Sequence, residues 1–234
     1  MQKNTFGGIQ KIFSEASRTY DLVNRVLTLG LDTFWRKRTA RIVAQWGGKM
    51  WLDVCSGTAQ MAVSLSKSAK ENTTVVALDF CFPMLGQAIS KAKKNKIHLC
   101  IADAGKLPFS DNAFDLVTIS FATRNLNINR DILIHNFREF YRIIKPGGRF
   151  VNLETSQPVS IFLRRLFHFY VRLLVKPVGY LLSGSKAAYA YLSYTIPRFF
   201  SAQELSEIIY RAGFRKVSFD YMNFGIAAIH TALK

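Results

Sequence analysis

The stretch Met50-Trp51-Leu52-Asp53-Val54-Cys55-Ser56-Gly57-Thr58-Ala59 decides how this chain folds. Its first five residues form a short apolar run that predicts a strand, and the small residues after them predict a loop. A helix is predicted directly afterwards, from 61 to 69. A strand, a loop with a central glycine and a helix are typical of a ligand-binding turn, because the glycine lets a ligand approach the backbone and the helix start offers free N–H groups.

The same alternation continues on the C-terminal side of this turn. Hydrophobic periodicity predicts strands at 74–78, 97–101, 114–120 and 149–154, and helices at 83–94 and 130–144. Such alternation predicts an α/β fold with a doubly wound parallel sheet. A helix from Ser201 to Ala212, begun by a capping box of Ser201 and Glu204, leads to strands at 216–222 and 225–233. Their close hairpin predicts an antiparallel pair, which brings the sheet to seven strands.

Two helical segments lie outside this alternation. At the N-terminus, helices are predicted at 9–29 and 32–46, with Asp32 as the N-cap of the second. Residues 157–200 interrupt the pattern after the fifth strand and predict a helical insertion that caps the sheet. We therefore expect a single domain over 1–234, made of an N-terminal helical cap (1–48), a core (49–156), the helical insertion (157–200) and a terminal helix with two strands (201–234).

Acidic side chains lie within or directly after three of the predicted strands. Asp79 ends the second strand, 22 residues after Gly57. In open α/β sheets an acid at this carboxyl edge binds the two hydroxyls of a ribose. Asp103 follows the third strand, where it can meet an adenine edge, and Asp53 lies in the first strand beside the glycine loop. We therefore expect a nucleoside-containing cofactor along this edge of the sheet.

The loop discriminates between two such cofactors. A dinucleotide site would need Gly-x-Gly-x-x-Gly, whereas this chain has Gly57, Ala59 and Ala62 at those positions. The carboxylate of Asp53 suits a sulfonium and an ammonium group better than a pyrophosphate, because a pyrophosphate carries charge of the same sign. The loop therefore favours S-adenosylmethionine over NAD.

Further motifs resemble those of the menaquinone/ubiquinone-biosynthesis C-methyltransferase family over nearly the whole chain. The most specific are, in chain order, Tyr20-Asp21…Asn24, Phe121-x-x-Arg124-Asn125 and Gly225…His230, whereas Leu107-Pro108-Phe109 and Lys145-Pro146-Gly147-Gly148 occur in many methyltransferases. The resemblance implies a class I, Rossmann-like enzyme that transfers a methyl group from S-adenosylmethionine to a ring carbon of a polyprenylated quinol. We expect the substrate to be demethylmenaquinol, and a precursor of ubiquinone is the alternative.

The resemblance also implies roles on the substrate side. Arg124 and Asn125 follow the fourth strand and would orient a quinol hydroxyl, and Arg124 would stabilise developing negative charge. Tyr20 is a further catalytic candidate, and Glu154, after the fifth strand, is another residue expected near the substrate. His230 lies in a terminal strand and is expected to be structural rather than a base.

The cofactor side draws on the loop and on the ends of the strands. The methionine end is expected at the glycine loop, the ribose at the acid that ends the second strand, and the adenine after the third strand. No metal site is expected. The predicted cofactor-binding residues are Asp53, Gly57, Thr58, Asp79, Phe80, Asp103, Ala104 and Ser120.

Three positions in the loop itself depart from the family pattern, and two of them, Ala59 and Gln60, bear on the cofactor site. The family has Gly-Gly-Thr-Gly-Asp where this chain has Ser56-Gly57-Thr58-Ala59-Gln60. Ala59 is expected to place a methyl group where backbone usually faces the cofactor, and Gln60 removes a carboxylate. The sequence alone leaves open whether these two changes weaken cofactor binding.

The charge of the chain predicts a polyanionic partner. With 32 basic and 15 acidic residues, the net charge is +17, and the excess concentrates in 1–50 and 151–200. Within the second segment, an apolar helix predicted at 161–175 carries Arg164, Arg165, His168 and Arg172, followed by Lys176, which is the form of an interfacial membrane helix. We expect a cytoplasmic protein that binds peripherally to an anionic membrane surface. A cap helix packed over the active site is the alternative.

Other functions are less consistent with the sequence. A nucleic-acid methyltransferase acting on base amines would carry Asn/Asp-Pro-Pro-Tyr/Phe after the fourth strand, where this chain has Ser120-Phe121-Ala122-Thr123-Arg124. No nucleic-acid partner is therefore expected. A non-catalytic membrane protein that kept the fold and the cofactor site remains an alternative. The oligomeric state, monomer or homodimer, stays open.

Overall fold

The computed structural model describes residues 2–234, apart from the side chains of 2–6 and 9. Within that part of the chain, seven strands form one sheet in the order β3-β2-β1-β4-β5-β7-β6. The strands are β1 (Met50–Val54), β2 (Thr74–Asp79), β3 (Ile97–Ile101), β4 (Phe114–Ser120), β5 (Ile144–Thr155), β6 (Arg215–Met222) and β7 (Ala227–Leu233). The first five pair in parallel, and β7 runs antiparallel to β5 and β6. The predicted doubly wound, Rossmann-like sheet is confirmed.

Helices cover both faces of this sheet. The N-terminal ones are α1 (Gln2–Ala16), α2 (Tyr20–Leu27) and α3 (Leu31–Ala44). Those between strands are α4 (Gln60–Ser68), α5 (Phe82–Lys94), α6 (Thr123–Leu126) and α7 (Arg130–Ile143). Those after β5 are α8 (Ile161–Tyr170), α9 (Lys176–Ser183), α10 (Lys186–Thr195) and α11 (Ala202–Arg211), with a π-helical turn at Val171–Val175 that joins α8 to α9.

The core has one apolar layer on each face of the sheet. Strand β1 contributes to both layers, because successive side chains of a pleated strand point to opposite faces of the sheet. Trp51 packs with Trp35 and Met61 on the face of α3 and α4. Leu52 packs on the opposite face, in the cluster that contains Phe137 of α7. Central parallel strands are covered in this way on both sides, so they carry near-continuous apolar runs.

The N-terminal region differs from the prediction in two places. The helix predicted at 9–29 is interrupted between α1 and α2, and the next break falls at Gly30, which is the N-cap of α3 and has a positive φ of 79°. Asp32 is therefore not the N-cap. It lies in the first turn of α3, where its carboxylate accepts hydrogen bonds from Arg36 at 2.5 Å and from Thr28 at 3.0 Å.

The insertion packs against the N-terminal helices. Ala16 and Val23 share a buried cluster with Val171 and Tyr189, so α1 and α2 meet the segment after β5. Helices α9 and α10 approach closely at Gly179, where an added Cβ would lie 2.0 Å from Cγ of Tyr189. The helix predicted at 161–175 extends through the π turn into α9, and α10 was not predicted. None of the residues of α8, all of which the structure describes, is fully buried.

The C-terminal region follows the prediction. The hydroxyl of Ser201 accepts a hydrogen bond from the N–H of Glu204, whose side chain in turn accepts from the N–H of Ser201, so the capping box is confirmed. The antiparallel pairing of β6 and β7 is likewise confirmed. This hairpin places β7 beside β5, which brings His230 next to Asn152.

Candidate active site

A cleft runs along the carboxyl ends of β1 to β4, which parallel pairing brings to one edge of the sheet. Nine of the eleven residues predicted for the site line it. These nine are Tyr20, Gly57, Thr58, Asp79, Phe80, Asp103, Ala104, Ser120 and Asn125. The other two, Asp53 and Arg124, lie outside the cleft wall.

The carboxylate of Asp79 fastens the glycine loop. One oxygen accepts the N–H of Gly57 and the other accepts the N–H of Cys81, both at 2.8 Å. Burial raises the pKa of Asp79, and these backbone hydrogen bonds oppose that rise. Each oxygen keeps a second lone pair, so the side chain can accept ribose hydroxyls while it orders the loop.

Asp53 lies behind the loop and is fully buried. The hydroxyls of Ser56 and Thr118 donate to its two oxygens at 2.5 and 2.8 Å. Burial raises the pKa of Asp53 to about 6, although these hydrogen bonds and the charge of Arg36 oppose the rise. A cation bound in front of the loop would favour the ionised form, because opposite charges attract strongly in a poorly solvated site.

The structure places Ala59 and Gln60, two of the departures in the loop, in different surroundings. Ala59 is fully buried and lies outside the cleft lining, so its methyl group packs into the core and does not face the cleft. Its φ of 62° is the left-handed conformation that favours glycine, so the departure strains the backbone instead. Gln60 does line the cleft, and its amide donates to the carboxylate of Asp21 at 2.7 Å.

The carboxylate of Asp21 joins α2 to the loop. It also accepts the Thr58 hydroxyl at 2.5 Å and the Lys91 ammonium at 2.6 Å. Although burial alone would raise it, the pKa of Asp21 is lowered, because these donors favour the ionised form. A carboxylate is thus present beside Gln60, supplied by α2. The sequence showed Asp21 within the Tyr-Asp motif but not its contact with the loop.

A second, apolar cavity of about 370 Å³ adjoins the cleft. The two spaces share three wall residues, Tyr20, Arg36 and Phe121. Side chains of α2, α3, α8, α10 and the π turn supply most of the lining. They include Leu27, Leu163, Phe167, Tyr170, Val171 and Leu192.

Arg124 lines this apolar cavity, whereas its neighbour Asn125 lines the cleft. Its guanidinium donates to Glu154 at 3.1 Å and to Thr155 at 3.0 Å, and its backbone N–H donates to Glu154 at 3.2 Å. The Arg124 Nε and the Asn125 Oδ1 are buried and have no hydrogen-bond partner in the described part of the chain. Unpaired buried polar atoms are destabilising, so their position beside the two spaces suits ligand binding. Glu154 is fully buried and holds Arg124 in place.

Tyr20 lies at the junction of the two spaces. Its ring contacts Phe13 edge-on, with centroids 5.9 Å apart. Burial raises the pKa of Tyr20, and the charges of Arg36 and Arg124 oppose that rise. The phenol therefore stays protonated at neutral pH and can donate a hydrogen bond to a bound group.

Arg36 is a wall residue that the sequence analysis did not select. It is 6% exposed, its guanidinium pairs with Asp32, and its Cζ lies 5.0 Å from the centroid of the Phe121 ring. The available signal was the four-residue spacing of Asp32 and Arg36 on a helix, which places such a pair on one face. That spacing is common on exposed helices and does not by itself indicate a site.

His230 supports the turn that carries Arg124. Its Nε2 donates to the carbonyl of Ala202 at 2.9 Å, which leaves Nδ1 to accept from Asn152 at 3.4 Å. The other end of the Asn152 amide accepts the hydroxyl of Thr123, the first residue of α6. His230 contacts neither space, in agreement with the structural role expected for it. Burial lowers its pKa to about 4.

We expect His230 to make the folded protein sensitive to acid. Between pH 6.5 and 4 the unfolded chain takes up a proton on this histidine that the folded chain does not, so stability falls as pH falls. Full passage through that window corresponds to about 3 kcal/mol. In urea unfolding followed by tryptophan fluorescence, His230→Gln should lose clearly less stability between neutral and acid pH than the parent.

His98→Gln is the matched control, because His98 is exposed on β3. The control should show the parent pH dependence. Identical pH dependence in the parent and in His230→Gln would contradict the buried, neutral state of this histidine.

Fold and site together define a class I S-adenosylmethionine-dependent methyltransferase. Solved structures with the same architecture include an O-methyltransferase family protein from Burkholderia thailandensis, with a TM-score of 0.68 and 11% identity over 95% of this chain and 61% of that one. Another is a possible histamine N-methyltransferase from Thermotoga maritima, with a TM-score of 0.61 and 18% identity over 96% and 99%. At these identities the likeness shows the fold alone.

Sequence relatives narrow the class to a family. The ubiE/COQ5 methyltransferase family matches residues 1–234. A demethylmenaquinone methyltransferase from Lactiplantibacillus plantarum is 36% identical over 97% of this chain and 95% of its own. One from Bacillus cereus is 34% identical over 100% and 98%. The chain belongs to the ubiE/COQ5 methyltransferase family, and its methyl donor is S-adenosylmethionine.

Proposed function

We propose that this protein methylates a ring carbon of demethylmenaquinol, a polyprenylated quinol. The observation that carries the proposal is the shared wall of the cleft and the apolar cavity. A methyl donor in the cleft and an apolar acceptor in the cavity would meet at Tyr20, Arg36 and Phe121. The relatives named for demethylmenaquinone methylation support the choice of acceptor.

The cleft residues would hold the donor as the sequence predicted. Asp79 would bind the ribose diol, Asp103 and Ala104 would frame the adenine, and Gly57 and Thr58 would line the methionine end. Phe80 and Ser120 would complete the walls of the cleft. Asp53 would act from behind the loop, where its ionised form favours a cation in front. When bound there, S-adenosylmethionine supplies an electrophilic methyl group.

The cavity residues would prepare the acceptor. The ring must be the reduced quinol, because a quinone is itself electrophilic. Arg124 would hydrogen-bond a ring oxygen and stabilise the negative charge that makes the ring carbon nucleophilic. Since arginine stays protonated, it is a poor base, and the ring proton would leave through water. Asn125 lines the cleft, so we now assign it to the donor side of the reaction.

Turnover with two acceptors tests this proposal. The protein is incubated with labelled S-adenosylmethionine and either demethylmenaquinol or a ubiquinol precursor, under reducing conditions, and the products are identified by mass. We expect methylation of demethylmenaquinol and none of its oxidised quinone. Preference for the ubiquinol precursor would replace the substrate. Cofactor binding without methylation of either ring would favour a non-catalytic protein.

We also propose that the cavity opens toward a membrane surface. Three residues both line the cavity and are exposed, namely Leu29 (85%), Leu166 (55%) and Phe224 (81%). Beside them, α8 and the π turn expose Phe162, Phe169 and Leu173. A prenylated acceptor could therefore pass from lipid into the cavity through apolar contacts alone. No helix in residues 2–234 is long and apolar enough to cross a membrane.

Basic side chains on the same segment predict a preference for anionic lipid. Arg165, Arg172 and Lys176 are exposed beside these apolar residues. Each basic residue near an anionic surface contributes about 1 kcal/mol at low salt. In vesicle sedimentation, the parent should bind anionic vesicles at low salt and release them at high salt. Replacing the three with glutamine should weaken binding by about 100-fold.

The control removes the same charge elsewhere. Lys70, just after α4, and Lys93 and Lys94, at the end of α5, are exposed, and none of them lines the cavity. Their replacement with glutamine should leave vesicle binding nearly unchanged. Equal losses in the two triple variants would reduce the effect to net charge, and no binding of the parent to any vesicle would leave α8 as a cap over the cavity.

A further inference from the structure

We propose that Arg36 binds the carboxylate at the methionine end of S-adenosylmethionine. The inference concerns the donor site, and it holds whichever acceptor the enzyme uses. It assigns the anion of the donor to a residue of α3, whereas the predicted cofactor residues all come from the strands and loops of the sheet.

The first argument for this inference is charge complementarity between the donor and the cleft. S-adenosylmethionine has one carboxylate, together with a sulfonium and an ammonium group. The described residues that line the cleft include two acids, Asp79 and Asp103, and a single cationic side chain, Arg36. A carboxylate taken out of water needs a charged hydrogen-bond donor, because an unpaired buried charge is strongly unfavourable.

The second argument is the position of Arg36 relative to the two ends of the donor. Asp79 and Asp103 follow β2 and β3, so the nucleoside end of the donor is expected there. Arg36 stands over Phe121, directly after β4, and its positive charge acts on Asp53 and Tyr20. The side chain therefore lies on the β1 and β4 side of the cleft, near the loop that would face the methionine end.

The third argument is that the Arg36 guanidinium has N–H groups free to bind a ligand. One terminal nitrogen donates to Asp32 at 2.5 Å, and Asp32 is fixed in turn by the hydroxyl of Thr28. The Nε is buried and has no hydrogen-bond partner among the side chains and backbone that the structure describes. A guanidinium has five N–H donors in a planar fork, so it can keep Asp32 and still bind a second carboxylate. The ion pair with Asp32 would hold the fork in place before the donor arrives.

A ligand that lacks the carboxylate tests the assignment directly. Decarboxylated S-adenosylmethionine keeps the nucleoside, the sulfonium and the ammonium group. By calorimetry, the parent should bind S-adenosylmethionine about 10- to 100-fold more tightly than this analogue. Arg36→Met should abolish most of that preference by weakening S-adenosylmethionine alone. Its affinity for the analogue should stay the same or improve, because a cation has been removed.

Further variants separate binding from folding. Arg36→Met leaves the buried Asp32 unpaired, so the double variant with Asp32→Asn removes both charges and should show the same loss of preference. Arg36→Lys keeps the charge without the fork and should retain part of it. Arg138→Met, at an exposed position on α7, should leave both affinities unchanged.

Three results would overturn the assignment. One is an equal loss of affinity for both ligands in the folded variants, and another is an unchanged preference. The third is intact donor binding with a raised KM for the quinol, which would place Arg36 on the acceptor side. Because the readout is binding of the donor, a failure to methylate demethylmenaquinol would contradict the proposed function and leave this result standing.

Discussion

Asp79→Ala is expected to weaken S-adenosylmethionine binding by about 10²- to 10⁴-fold, the largest change in affinity that the site predicts. The carboxylate would accept two ribose hydroxyls, and a hydrogen bond to a charged group is worth about 1.5–3 kcal/mol. The same carboxylate holds the N–H groups of Gly57 and Cys81, so alanine also releases the loop that the donor contacts. Calorimetric titration of the variant measures the effect.

Two further substitutions make this result specific. Asp79→Asn keeps the shape, but its amide N–H₂ would face a backbone N–H, so it should also bind poorly. Asp220→Ala, at an exposed position on β6, removes one carboxylate elsewhere and should bind like the parent. An unchanged dissociation constant for Asp79→Ala would contradict the assignment of this acid to the ribose.

Arg124→Met is expected to lower turnover by about 10²- to 10³-fold while donor affinity stays within a few-fold of the parent. The reason is its location, since Arg124 lines the apolar cavity and not the cleft. A cationic donor beside a ring oxygen acts mainly on charge that develops during reaction, so its loss should lower kcat more than it raises KM. Steady-state kinetics with demethylmenaquinol, paired with calorimetry of the donor, measures both.

Glu154 provides the matched test of positioning. Removing Arg124 leaves this buried carboxylate unpaired, so the double variant Arg124→Met/Glu154→Gln separates lost chemistry from lost stability. Glu154→Gln alone keeps the hydrogen-bonding shape and should lower kcat less than Arg124→Met does. Normal turnover in Arg124→Met together with weak donor binding would contradict the proposed contact of Arg124 with the acceptor and would assign it to the donor site.

Local sequence patterns predicted the elements of the sheet well. Strands β1 to β4 were predicted to within a residue, because buried parallel strands are short apolar runs between turn residues. The capping box at Ser201 and the last hairpin were equally local signals. The order of glycine loop and acids predicted the cleft for the same reason, since parallel strands bring their carboxyl ends to one edge.

Patterns failed where separate segments meet. The break between α1 and α2, at residues 17–19, was missed, because the apolar periodicity runs through it without a glycine or a proline. The effect of Ala59 was also misjudged, because its direction depends on a left-handed backbone and on the helices packed around it. Such outcomes follow from tertiary packing, which a linear pattern does not contain.

The sequence by itself determined the fold class, the donor and the edge of the sheet where the donor binds, because these follow from short-range order along the chain. Only the tertiary structure decided which residues line the cleft and which line the neighbouring cavity. Side chains of α2, α3, α8, α10 and the π turn come together around the apolar cavity, which Arg124 lines, whereas its neighbour Asn125 lines the cleft. Arg36 of α3 lines the cleft beside Phe121, whose ring centroid lies 5.9 Å from that of Trp35. Residues distant in sequence meet only when these helices settle against the sheet, so their joint role is a property of the fold.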